Sequence, residues 1–382
     1  MRRPGALFSM SLLLSGVLLV ASGCADSATA EAPTREPAGG GVAMNPGRLT
    51  AGEWRDLDHW DFWRGLLDEG DFASMDARWG YDTSRRYTID VVDAEGQPAV
   101  DARALLLDED AGTLWEARTD NTGRAELFAG IFGKGGDPAL LIVESGGDRV
   151  LVESEGLEAG RAIQLQLDAV EPAAAVDLMF MVDTTGSMGD ELNYLQVELR
   201  DVIERVQRRH EDLSLRVSVN FYRDIGDPYV VRSNAFTEDL DLVMAQLQRE
   251  SAAGGGDYEE AVDQAMIDAI EGHDWRGSAR ARILFLLLDA PPHATPESLG
   301  ALHRATALAA QRGVRLIPIG ASGIDKDTEF LMRSMDVATG GTYIFLTDDS
   351  GVGGAHLRPS VGDFKVEPLN DMLVRLIDEA AR

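Results

Sequence analysis

Residues 176–188 decide the fold, and they read Val-Asp-Leu-Met-Phe-Met-Val-Asp-Thr-Thr-Gly-Ser-Met. The first seven are mostly apolar, which is typical of a strand that is buried on both faces of a sheet. Asp183, Thr185 and Ser187 then stand at alternate positions, and Gly186 permits a sharp turn into the next helix. One carboxylate and two hydroxyls therefore converge at one strand end, where hard oxygen ligands suit Mg²⁺ rather than zinc.

From about residue 173 to the C-terminus, apolar strands alternate with amphipathic helices. Strands are predicted at residues 176–182, 214–222, 282–288, 314–319 and 342–346. Helices are predicted at residues 191–210, 240–249, 258–271, 296–312, 325–336 and 364–382. This alternation predicts the α/β class, with a doubly wound, mostly parallel sheet that is covered by helices on both faces. Ligands of such sheets bind beyond the carboxyl ends of the strands.

Two further strand ends of this region carry oxygen ligands. Residues 254–260 read Gly-Gly-Gly-Asp-Tyr-Glu-Glu and offer Asp257 and Glu260, and Asp289 directly follows the strand at 282–288. One of Asp257 and Glu260 could bind a metal while the other caps the helix, and the sequence leaves that choice open. Helix capping is also the alternative for the whole set, because Asp and Ser are favoured caps in any protein. Three such loops in order favour a metal site.

These loops resemble the metal-ion-dependent adhesion site of the von Willebrand factor A domain. The family's first motif is Asp-x-Ser-x-Ser, in which Thr185 here takes the middle position and keeps the hydroxyl, and Asp289 matches the third-loop Asp. The commoner middle loop has a Thr after paired glycines, whereas this one is closer to Gly-Gly-Gly-Asp-x-Pro-Glu, with Glu259 in place of the proline. Integrin β subunits have a similar loop whose Glu ligates the metal, and Glu260 is its counterpart. The resemblance covers residues 174–382.

The resemblance implies binding of a protein partner through a divalent cation. It implies that Mg²⁺ or Mn²⁺ is held by direct and water-mediated oxygens and keeps one open coordination position, which an Asp or Glu of the partner fills. Mg²⁺ usually retains waters, so an acidic side chain can displace one. The candidate ligands are Asp183, Thr185, Ser187, Asp257, Glu260 and Asp289.

Residues 1–23 are predicted to be a lipoprotein signal peptide. Two arginines precede an apolar run at residues 6–21, which is shorter than the roughly 20 residues that span a bilayer. The following Ala-Ser-Gly-Cys, residues 21–24, resembles the lipobox of bacterial lipoproteins, in which Leu usually stands in place of Ala21. The resemblance implies cleavage before Cys24 and lipidation of its thiol, which would anchor the chain on a membrane. The alternative is a secreted protein with an incidental cysteine.

The chain between the anchor and the α/β region divides into three parts. Residues 24–50 are rich in Ala, Gly, Pro and Thr, which is typical of a flexible tether. Residues 51–85 are predicted to be helical, with Trp60 and Trp63 on a face that favours a core role over a partner or sugar platform. Residues 86–170 have short strands between turn signals, which predicts a small all-β sandwich domain. This part resembles carboxypeptidase-regulatory and collagen-binding B modules, which implies a spacer or structural role.

The composition and the missing motifs exclude several classes of function. The 382 residues carry a formal net charge of -30, so nucleic acid is not an expected partner. A Walker loop, a dinucleotide fingerprint and Gly-x-Ser-x-Gly are absent, so we do not expect an enzyme. The alternatives are a phosphatase-like, metal-assisted hydrolase and a purely structural envelope lipoprotein. We expect a lipid-anchored protein of the bacterial cell envelope, at the outer membrane or cell surface rather than the inner membrane.

Overall fold

The computed structural model describes residues 45–68, 71–133, 135–168 and 170–382. The predicted signal peptide, the lipidation site Cys24 and the tether up to residue 44 lie outside these residues. The helices are α1 Trp60–Asp68, α2 Asp71–Trp79, α3 Gly189–Arg209, α4 Leu240–Arg249, α5 Val262–Glu271, α6 Pro296–Arg312, α7 Lys326–Thr339 and α8 Leu369–Ala381. No helix among the described residues has the length and apolar character needed to cross a bilayer.

The strands form one large sheet and two small ones. They are β1 Thr50–Trp54, β2 Arg86–Val92, β3 Arg103–Asp108, β4 Thr113–Arg118, β5 Arg124–Phe128, β6 Pro138–Ser145, β7 Asp148–Glu153, β8 Ala162–Gln166, β9 Ala175–Asp183, β10 Ser214–Tyr222, β11 Val231–Arg232, β12 Ala281–Leu288, β13 Val314–Gly320, β14 Tyr343–Leu346 and β15 Val366–Pro368. The large sheet has the order β11-β10-β9-β12-β13-β14-β1-β15.

The large sheet is parallel at its centre and covered on both faces. Strands β10, β9, β12, β13 and β14 are parallel to one another, whereas β11, β1 and β15 are antiparallel to their neighbours. Every residue of β9 and β12 is buried. Met179 and Met181 belong to the apolar core on one face, and Leu178 and Phe180 to the core on the other. The predicted fold class is therefore confirmed.

Strand β1 comes from the segment that the sequence predicted to be helical. It lies between β14 and β15 and pairs with both, so tertiary pairing rather than local pattern makes these five residues a strand. Helices α1 and α2 follow as expected. Trp63 of α1 is fully buried and stacks on Phe330 of α7 with 5.9 Å between ring centroids. Trp63 is therefore part of the core. Arg333 of α7 and Asp56 form a fully buried ion pair with 2.7 Å between Nη2 and Oδ1.

The two small sheets form the all-β part of the chain. Their orders are β5-β2-β8 and β4-β3-β6-β7. Trp115 of the second sheet meets Phe128 of the first edge-on, with ring centroids 5.8 Å apart, and both rings belong to one apolar core. This part contacts the large sheet through Asp101, whose carboxylate binds the guanidinium of Arg282 on β12 at 2.9 and 3.1 Å. The residues from Met44 to Arg382 consequently pack as one unit.

Candidate metal centre

The carboxyl ends of β9 and β12 bring Asp183 and Asp289 to the same edge of the sheet. Val182 is paired with Leu287, so Asp183 follows that pair by one residue and Asp289 by two. Both residues are buried: Asp183 is completely buried, and Asp289 is 3% exposed. The strand pairing therefore accounts for the convergence that the sequence predicted.

The first loop holds its hydroxyl groups close to the Asp183 carboxylate. Oδ1 of Asp183 accepts hydrogen bonds from the backbone N–H of Thr185 at 2.8 Å and from its hydroxyl at 2.7 Å. The Thr185 and Ser187 hydroxyl oxygens are 3.2 Å apart. Thr185 is completely buried, whereas Ser187 is exposed. The three side chains thus form a row that leads from the interior to the surface.

Glycines let the middle loop approach the first loop closely. The N–H of Gly186 donates to the carbonyl of Gly254 at 3.2 Å, and Gly254 and Gly255 have φ angles of 86° and 74°, which favour glycine. A Cβ atom at Gly255 would lie 3.0 Å from Glu260 Oε1 and 3.5 Å from Thr185 Cβ. The Glu260 carboxylate therefore lies beside the first loop.

The two acidic candidates of the middle loop have different surroundings. Glu260 is 3% exposed, and its backbone N–H donates to the carbonyl of Pro291 at 2.9 Å, next to the Asp289 loop. Helix α5 consequently begins at Val262, four residues later than predicted. Asp257 is exposed, and it lies with Asp224 and His293 in a group whose ligand atoms are all within 4.8 Å of one another. His293 and Asp224 are hydrogen-bonded at 2.9 Å.

Three of the predicted ligands each have a buried carboxylate oxygen without a hydrogen-bond partner. These oxygens are Oδ2 of Asp183, Oδ1 of Asp289 and Oε2 of Glu260. Buried acceptors in folded proteins are almost always paired, and an unpaired one costs about 1–3 kcal/mol, and more when it is charged. The chemistry of this donor set, carboxylates with two hydroxyls beside them, fits a hard divalent cation.

Burial, more than mutual repulsion, changes the protonation of these groups. Burial, and then the charge of Asp289, raises the pKa of Asp183 to about 7. Burial raises the pKa of Asp289 to about 6, although the Ser187 hydroxyl opposes the rise. Burial, and then the charge of Asp183, raises the pKa of Glu260 to about 9. The metal-free site therefore holds protons at neutral pH, which a cation would displace.

Two further polar side chains at this edge were not predicted from the sequence. The hydroxyl of Tyr222, which ends β10 opposite Asp183, is buried without a partner. Glu191, in the first turn of α3, is completely buried; its Oε1 accepts from the N–H of Ser322 at 2.9 Å, and Oε2 is unpaired. The signal for Glu191 was its position on the apolar face of the helix, four residues before the buried Leu195.

A segment of the α/β part matches a known protein family. Residues 177–317 match the family model of the von Willebrand factor A domain. An ariadne-like RING finger protein of Acanthamoeba polyphaga mimivirus is 28% identical over 123 residues, which are 31% of this chain and 11% of that protein. Alpha-protein kinase vwkA of Dictyostelium discoideum is 30% identical over 135 residues, which are 35% of this chain and 21% of that protein. The chain thus spans about a tenth and a fifth of the length of these relatives.

Solved structures also resemble part of the chain. BatB from Bacteroides thetaiotaomicron has a TM-score of 0.38 at 12% identity and covers 54% of this chain and 98% of its own. An aerotolerance-related membrane protein from Bacteroides fragilis NCTC 9343 has a TM-score of 0.37 at 13% identity with the same coverage. The segment that matches the family model, residues 177–317, runs from β9 to β13 of the large sheet.

Proposed function

We propose that the von Willebrand factor A domain of this chain binds a protein partner through Mg²⁺ or Mn²⁺ at the carboxyl ends of β9 and β12. The observation that carries the proposal is the set of three buried, unpaired carboxylate oxygens on Asp183, Asp289 and Glu260. A fold that gains nothing from these charges would be more stable with apolar or amide side chains there. A cation converts them from mutually repelling groups into ligands.

The cation would be held by Asp183, Thr185, Ser187 and Asp289, with Glu260 as the middle-loop ligand. When bound, it supplies a coordination position that a carboxylate of the partner can fill. Asp183 orients the Thr185 side chain through the 2.7 Å hydrogen bond described above. Ser187 is the exposed member of the row, so the partner's Asp or Glu would enter from its side. Glu260 is favoured over Asp257 because its carboxylate is buried beside Thr185.

The test of this function compares metal binding with partner capture. Mg²⁺ titrated calorimetrically into the protein should give heat that is lost in Asp183→Ala and retained in Asp241→Ala, an exposed carboxylate of α4. The same proteins are then immobilised and exposed to envelope extract in Mg²⁺ or in EDTA. Only the wild type in Mg²⁺ should capture a partner. Metal binding that survives in Asp183→Ala would refute the site.

The same experiment separates two other functions. A phosphatase-like hydrolase would turn over a generic phosphoester in Mg²⁺ and lose that turnover in Asp183→Ala. A purely structural envelope protein would bind neither metal nor partner. We expect metal-dependent capture without turnover.

We also propose that lipid on Cys24 holds the protein at the bacterial cell envelope, at the outer membrane or cell surface rather than the inner membrane. The support is the basic start, the apolar run and the Ala-Ser-Gly-Cys sequence of residues 21–24. The acidic residue that would fill the metal's open position then belongs to another envelope or extracellular protein. Labelling with palmitate should mark the wild type and not Cys24→Ser, and an unlabelled wild type would contradict the anchor.

A further inference from the structure

A groove of about 520 Å³ lies between strand β11 and helices α5 and α6. Val230, Val231, Ile267 and Ala301 make it apolar. Val231 and Ile267 are only partly buried, although they pack against the core. The groove therefore leaves apolar surface open that a bulky apolar side chain could cover, at a gain of about 25 cal/mol for each Å².

Apart from Gln264, the polar side chains of this groove are acidic, and Asp263 has a buried oxygen without a partner. Oδ1 of Asp263 is buried without a hydrogen-bond partner, and the whole residue is only 8% exposed. Asp268 and Glu271 also line the groove, but they already accept hydrogen bonds, from Ser233 at 3.0 Å and from Arg304 respectively. No arginine or lysine of the described chain lines the groove. The Asp263 carboxylate therefore lacks the donor that a buried carboxylate normally has.

The position of β11 indicates that the occupant is a polypeptide. This strand begins the sheet order and, among the described residues, pairs only with β10, so the other edge of its two residues faces away from the sheet. Such an edge is a template for an extended segment of another chain. A small amine would bind the carboxylate but would contact neither the strand edge nor all of the apolar residues of the groove.

We propose that this groove binds a protein segment that presents an arginine or lysine next to a bulky apolar side chain. The apolar side chain covers Val231 and Ile267, and the cation donates to Asp263. The acidic wall and the overall charge of -30 favour such a segment and disfavour an acidic one. This site needs no metal, so it is separate from the proposed function.

Methyl NMR in EDTA tests the proposal with three acetylated, amidated peptides: Leu-Arg-Leu, Leu-citrulline-Leu and Leu-Glu-Leu. Citrulline keeps the shape of arginine without its charge. We expect Leu-Arg-Leu to shift the methyl signals of Val231 and Ile267 at millimolar concentration. The citrulline peptide should bind about tenfold more weakly, which corresponds to one charge-assisted hydrogen bond, and the glutamate peptide should not bind.

Two variants test whether Asp263 causes the preference for arginine. Asp263→Asn should abolish the preference for arginine over citrulline. Asp241→Asn is the matched control, because Asp241 is the second residue of α4 as Asp263 is of α5, and it should behave as wild type. An unchanged methyl spectrum in the absence of peptide checks that each variant folds.

Three results would overturn the proposal: no shifts with Leu-Arg-Leu, equal affinity for arginine and citrulline, or an unaltered preference in Asp263→Asn. Shifts at other methyl groups alone would place the peptide elsewhere and would also overturn it. Repeating the titration on Asp183→Ala separates this inference from the metal-dependent function, because groove binding should survive there.

Discussion

Binding of Mg²⁺ should release between one and two protons at pH 7, because the proposed ligands are partly protonated without metal. With a pKa of about 7, Asp183 is about half protonated at that pH. Asp289, with a pKa of about 6, is about one-tenth protonated, and Glu260, with a pKa of about 9, is almost fully protonated. A cation that needs all three carboxylates ionised must therefore displace between one and two protons.

Isothermal titration calorimetry measures this number directly. Mg²⁺ is titrated into the metal-free protein at pH 7 in buffers of different ionisation enthalpy, and the slope of observed heat against that enthalpy is the proton count. The count should rise above two at pH 6 and fall to about one at pH 8, because Asp183 and Asp289 lose their protons without metal as the pH increases. The affinity for Mg²⁺ should accordingly increase more than tenfold from pH 6.5 to pH 7.5.

The Glu260→Gln variant is the internal control for this calculation. It removes the group that holds its proton most tightly, so the count at pH 7 should fall by about one. A wild-type protein that binds Mg²⁺ with no proton release at pH 7 would refute the reasoning. The same count in wild type and Glu260→Gln would show that Glu260 keeps its proton and is not a ligand.

Three further outcomes follow from the structure. The free energy of unfolding of the metal-free protein should fall between about pH 4 and pH 9, because the raised pKa values of Asp183, Asp289 and Glu260 mean that the folded state binds more protons than the unfolded state there. Saturating Mg²⁺ should remove this fall in urea denaturation. Glu260→Gln should weaken Mg²⁺ binding about tenfold or more by calorimetry, and Asp257→Asn should change it little; equal losses would contradict our choice of ligand. Asp101→Asn should lower the unfolding free energy by about 3 kcal/mol, because it leaves the buried guanidinium of Arg282 without its anion. Asparagine tolerates the left-handed backbone of residue 101 (φ 61°), so the substitution adds no backbone strain. The control Asp110→Asn, at an exposed site, should change the urea midpoint little.

The central strands were predictable because burial on both faces leaves a direct mark on the sequence. Strands β9 and β12 are mostly apolar runs of the length of one strand, and β10 alternates polar and apolar residues. The structure gives all three strands bounds within one residue of the prediction. Their parallel pairing then brings Asp183 and Asp289 together, since both directly follow strands that are neighbours in the sheet. This part of the site is a consequence of topology.

The elements that the sequence did not predict depend on distant partners. Strand β1 has only five residues, and its pairing partners in β14 and β15 are about 300 residues further along the chain. Helix α5 was predicted from residue 258 because its polar and apolar residues continue the helical period. It starts at Val262 because the N–H of Glu260 bonds to Pro291, a contact between loops that no local pattern records.

The number of charges at the proposed metal site accounts for the two hydroxyls among its proposed ligands. Asp183 and Asp289 together balance a divalent cation, so neutral Thr185 and Ser187 leave the loaded centre without excess negative charge. A partner's carboxylate can then approach without repulsion from the centre. Glu260 is the exception, because its ionisation adds a third negative charge. Its high pKa means that it gives up its proton only when the cation compensates, so this residue sets the balance between holding the metal tightly and accepting an acidic partner.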